Sequence, residues 1–79
     1  MKFGDFISLL SNMVIIDVEI KDGIHYRPVL KDTIYSLAMN EDETFTSLFD
    51  HKVRFVNSYV VWNTYTKQCE PVIGITLEK

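Results

Sequence analysis

The side chains able to do chemistry in this chain are two histidines, His25 and His51, the single Cys69 and eleven carboxylates. Imidazole and thiolate first suggest zinc, but structural zinc sites take their ligands in closely spaced pairs. Here each of the three stands alone in sequence, so no metal or cofactor is expected. Cys69 lies near Lys67 in an expected loop, with no histidine or helix start beside it to lower its pKa, and is read as an incidental thiol. His25 beside Glu19, with Asp17 beside Arg27, would make a charged strip that resembles a general acid–base pair. The plainer reading, a solvated strand face whose cross-strand ion pairs contribute a few tenths of a kcal/mol each, is preferred. No glycine-rich phosphate loop, HExxH, paired-cysteine or nucleophile-elbow motif occurs, and a non-enzymatic protein is expected.

That charged strip depends on a β-hairpin. Val14, Ile16, Val18 and Ile20 alternate with Ile15, Asp17, Glu19 and Lys21, the period of a half-buried strand. Lys21-Asp22-Gly23 reverses the chain. A two-residue loop at Asp22-Gly23 would set Val18 against Arg27 and Glu19 against Tyr26, mixing polar and apolar groups on both faces. A three-residue loop with Gly23 left-handed sets Ile20 against Ile24, Val18 against Tyr26, Glu19 against His25 and Asp17 against Arg27, so every pair is compatible. The second register is expected.

Phe3, Phe6, Ile7 and Leu10 recur at the spacing of an amphipathic helix at the N-terminus. After the hairpin, Asp32 offers an N-cap, and Ile34, Leu37 and Ala38 follow at helical spacing. The acidic Asn40-Glu41-Asp42-Glu43 interrupts the pattern before Phe45, Leu48 and Phe49 resume it, giving either one broken helix or two short ones. From Val53 to Thr64 the β-branched and aromatic residues of a strand dominate. Fully extended, that segment spans roughly 40 Å, against a radius of gyration of about 12 Å for this length. A bulge or turn is therefore expected at Asn57-Ser58, where the apolar parity switches. Val72 to Leu77 makes the last strand, with Ile73, Ile75 and Leu77 on one face. The fold class expected is α+β, one domain over residues 1–79 in the order α-β-β-α-β-β, with an antiparallel sheet and helices on one face.

Composition narrows the function classes. Hydrophobic residues at 47% and charged residues at 24% describe an ordinary globular chain. The net charge of −3 and scattered basic residues disfavour direct nucleic-acid binding, which needs clustered Lys and Arg. No apolar run approaches the roughly 20 residues of a membrane helix, and no signal-peptide core is seen. A lone cysteine and no Asn-x-Ser/Thr site leave a cytoplasmic location as the expectation.

Surplus aromatic strand surface points instead to protein binding. Phe55, Tyr59 and Val61 fall on one side of the long strand and Val56, Val60 and Trp62 on the other, so either one set is left as a patch for a partner or the bulge returns both to one core. Phe49, Tyr59 and Trp62 are the candidate anchors. Glu41, Asp42 and Glu43, with Asp50, form an acidic patch that could compete with DNA for the basic groove of a nuclease or nucleic-acid-binding protein. Its plainer reading is a solvated helix start. A homodimer joined by strand edges is the alternative. Pro28 blunts one edge, leaving the final or the long third strand for that role.

The opening Met1-Lys2-Phe3-Gly4-Asp5-Phe6-Ile7-Ser8-Leu9-Leu10, the Val/Ile strand, the Asp-Gly turn, the short helix and the closing Val-Ile-Gly-Ile-Thr-Leu resemble small accessory proteins encoded by phages and prophages of Gram-positive bacteria. The likeness runs the whole chain as a pattern and contains no specific functional motif. It implies a mobile-element origin and a non-enzymatic role in the host cytoplasm, binding and inhibiting a host protein as anti-defence proteins such as anti-CRISPRs do.

Overall fold

Ile16, Val18 and Ile20, every second residue of their segment, are buried, and the strand they define, β1 (Ile15–Asp22), is one of two central strands of the sheet. In the computed structural model, which describes residues 1–79, α1 (Phe3–Ile7) precedes β1. Then come β2 (His25–Thr33), α2 (Ile34–Met39), α3 (Glu43–Ser47), β3 (Val53–Asn63) and β4 (Gln68–Glu78). The strand order is β2-β1-β4-β3. The α+β class and helices over one sheet face are as expected: Phe3, Ile7, Ile34, Leu37, Phe45 and Leu48 pack on Ile16, Val18, Ile20, Ile75 and Leu77.

One joint of the expected antiparallel sheet is corrected. β1–β2 and β3–β4 are antiparallel hairpins, but β1 and β4 run parallel, Ile16 beside Ile73 and Val18 beside Ile75. The cause is the connection through α2 and α3. It crosses the helix-side face and restarts β3 at the far edge in the same direction as β2, the geometry a helical crossover provides. The sheet is therefore mixed.

The hairpin register is also corrected. Asp22 pairs with His25, leaving Gly23-Ile24 as a two-residue loop, and the ladder continues through Ile20–Arg27 and Glu19–Pro28 to a bulge before Val18–Leu30. Gly23 has φ +64° and is the only residue of the loop with positive φ, the glycine-first pattern of a type II′ turn. Cross-strand matching lost to turn chemistry because β2 is an edge strand: Ile24 and Tyr26 are exposed, so little burial depends on their partners. The strip His25–Glu19 and Asp17–Arg27 does not form. Asp17 lies opposite Lys31 instead.

Caps end the α-helical ambiguity. Thr33, not Asp32, caps α2: its Oγ1 accepts the Ser36 N–H at 3.1 Å, while Asp32 accepts the N–H of Thr33. Asp42 caps α3 by accepting the Phe45 N–H at 3.0 Å, and Glu41 turns the chain between the two at φ +49°. Two helices result.

β3 is continuous through Asn57 and Ser58, which pair regularly with Gly74 and Ile73; its bulge lies at Arg54, between Val53 and Phe55. The length conflict is met by overhang. β4 pairs with β1 only from Val72 onward, so the far part of the β3–β4 hairpin runs on past the central strands, and the molecule is 37 Å long with a radius of gyration of 12.6 Å. Cys69 sits on β4, opposite Trp62, rather than in a loop.

Candidate functional site

Alternation sorts β3 and its neighbours onto two sheet faces, and each carries a distinct surface. On the face away from the helices, Tyr59 of β3 reaches across β4 and its hydroxyl donates to Asp17 Oδ2 of β1 at 2.5 Å. Thr76 Oγ1 of β4 donates to Glu19 Oε1 at 2.8 Å. Between them lies Gly74, where an added Cβ would overlap the Asn57 side chain amide. The missing side chain is what lets Asn57 lie over β4. An open cleft of about 700 Å³ continues this face, bounded by Glu19, Lys21, Tyr26, Arg54, Phe55 and Glu78 among others.

The charges on this face are largely used on one another. Arg54 stands 3.5 Å from Glu78, and Asp17 and Glu19 each receive a hydroxyl. No three His, Cys, Asp or Glu side chains gather closely enough to hold a metal ion. His51 is engaged through Nδ1 with the Glu78 carbonyl at 2.7 Å.

The hydrogen bond to Asp17 raises the Tyr59 pKa above its usual 10.0, with burial and the Asp17 charge adding in the same direction. The folded state thus holds the phenolic proton more tightly than the unfolded chain. Stability from this contact is complete below pH 10.0 and is lost as pH rises through the higher folded value. Denaturation midpoints measured from neutral to strongly alkaline pH should fall less steeply above that point in Tyr59→Phe than in the parent. Identical slopes would show that the contact is absent in solution.

The second surface lies on the helix side of β3. Val56, Val60 and Trp62 are 40%, 63% and 61% exposed because the helix-side core covers β1 and the inner half of β4 but reaches the outer strand only at Val53. Phe55, on the other face, is also largely exposed, and Tyr65 projects from the β3–β4 loop with its backbone N–H bonded to Asn63 Oδ1. Of the three candidate anchors, only Trp62 is free. Phe49 is half-buried in a ring cluster with Phe3 and Phe45, at 6.2 and 5.1 Å between centroids, and Tyr59 is engaged with Asp17. Glu41 and Glu43 are exposed, whereas Asp42 is taken up by capping α3 and Asp50 lies near Lys2 at 3.6 Å.

Phe55, Val56 and Val60 join Trp62 as exposed apolar residues of this strand, and the signal for them was the two-sided apolar spacing itself. For Asn57 and Thr76 the signal was a glycine inside an otherwise β-branched run, a mark of close approach.

In comparisons with known proteins, no family profile, no curated protein and no solved structure matches this chain.

Proposed function

We propose that the protein is a non-enzymatic interaction module that uses the exposed apolar residues of β3 to occupy a surface of another protein. The observation supporting this most directly is that Val56, Val60 and Trp62 form an apolar patch beside the unpaired outer edge of the same strand. Patches of this kind mark protein contacts in small domains, and tryptophan is the side chain most enriched among residues that dominate binding energy. No helix is long and apolar enough to cross a membrane.

The likeness to phage and prophage accessory proteins extends this reading to the target: a host protein, bound and inhibited in the cytoplasm in the manner of anti-defence proteins. Exposed Glu41 and Glu43 favour a target with a basic surface, such as a nuclease. Affinity capture from a Gram-positive lysate is the test. Trp62→Ala should lower recovery of the partner by tenfold or more, the loss expected from a residue worth about 2 kcal/mol, while circular dichroism stays native. Unchanged recovery would remove Trp62 from the contact and with it this assignment of the surface.

A further inference from the structure

We infer that the outer edge of β3 pairs antiparallel with the same edge of a second copy of this chain, about a two-fold axis at Ser58, joining two sheets into one. The inference rests on β3 being an interaction surface and adds a contact along the strand's edge to the one proposed for its apolar face.

The two edges of the sheet are treated differently. β2 carries Pro28, a bulge in its ladder and the charges of Arg27, Lys31 and Asp32, all devices that discourage strand addition. β3 from Phe55 to Asn63 has neither proline nor charge and pairs regularly with β4 throughout. Only its first residues are covered: Val53 N–H donates to the Met1 carbonyl at 2.8 Å, and Lys2 bridges Lys52. The free edge therefore begins just past Val53. Left bare, such an edge invites a further strand.

Symmetry limits how a second copy can meet it. A two-fold axis perpendicular to the sheet keeps helix sides together, so opposed residues must share a face. Centring the axis on Ser58 sets Val56 against Val60 of the second copy, Phe55 against its Val61 and Asn57 against its Tyr59. From Phe55 to Val61 apolar then meets apolar and polar meets polar, Trp62 comes opposite the bulge at Arg54, and the pairing stops before the end held by Met1 and Lys2. Unlike β2, this strand has no tight turn to override side-chain matching at the new edge. Aromatic side chains bury about 150–250 Å² each; with Phe55 and Trp62 largely exposed in each copy, plus the valines and the strand edges, the contact approaches roughly 1,000 Å², the lower bound for a specific interface. A contact of that size belongs to weak, concentration-dependent association.

Sedimentation equilibrium across a dilution series, together with cysteine cross-linking in a Cys69→Ser background, tests this. The mass should double with concentration, and Val60→Asp should raise the dissociation constant by about a hundredfold or more while circular dichroism stays native. Ser58→Cys should form an interchain disulfide, because directly opposed Cα atoms lie about 4.5–5.5 Å apart. Asn57→Cys should not, since its two copies are diagonal neighbours about 7–8 Å apart. A chain that stays monomeric throughout, or one that cross-links equally through both cysteines, overturns the pairing. If the monomer still captures another protein and loses it on Trp62→Ala, the interaction reading stands without self-pairing. If capture is also indifferent to Trp62, both fall.

Discussion

Replacing Phe3 by alanine is expected to leave much of the chain unfolded in mild denaturant where the parent is native. Phe3 is fully buried, its ring meets Phe45 edge-on at 6.0 Å and Phe49 at 6.2 Å, and its N–H donates to the His51 carbonyl at 2.8 Å. A helix of five residues such as α1 has no independent stability, so this packing is what holds the N-terminus on the sheet. Truncating a buried phenylalanine costs about 3–5 kcal/mol, against a total of about 4–12 kcal/mol for a domain of 79 residues. Urea unfolding followed by circular dichroism should show the midpoint falling sharply in Phe3→Ala and much less in Phe6→Ala, whose side chain is only half-buried. A loss below about 1 kcal/mol would mean that the three-ring cluster is not formed in solution.

The elements legible in the sequence were those whose burial repeats locally. Ile16, Val18 and Ile20 declared the core face of β1 by a period of two, and Ile75 with Leu77 did the same for β4. The parallel joint between those strands was not legible, because no local pattern records which distant strand lies alongside. Side-chain matching does not decide the β1–β2 register, because turn geometry prevails at a strand with little to bury. At the long strand the conflict between a roughly 40 Å extended length and a small domain was visible. The chain resolved it by letting the hairpin overhang instead of bending at Asn57-Ser58.

The candidate anchors divide for a related reason. Aromatic type says that a ring carries much apolar area and says nothing of which way it points. Phe49 turned inward because Phe3 and Phe45 stood there, Tyr59 because its hydroxyl found Asp17 across Gly74, and Trp62 stayed out because the helices end short of the strand's far half. Helices this short cover β1, the inner half of β4, Leu30 of β2 and Val53 at the start of β3, and leave the rest of β3 uncovered. The same shortage of covering elements that keeps the core small also leaves β3 bare, so modest stability and an available binding face have one structural origin.

Val18→Asp, the second large effect, separates core from contact surface on a single chemical change. Val18 is completely buried at the middle of β1, flanked by Leu30 on β2 and Ile75 on β4, with the helices above it. A carboxylate placed there has no partner and cannot reach water, a penalty of several kcal/mol that rivals the whole stability of the domain. Native circular dichroism and cooperative thermal unfolding should both be lost. The same exchange at Val60, 63% exposed on β3, should leave both within the small range of surface substitutions, about 0.5 kcal/mol either way. If Val18→Asp folded normally, the helices could not be covering β1; if Val60→Asp unfolded the isolated chain, the outer strand would belong to the core. Either result would take away the uncovered face on which the interaction reading stands, because that reading requires the two valines to differ in burial while sharing the helix side of one sheet.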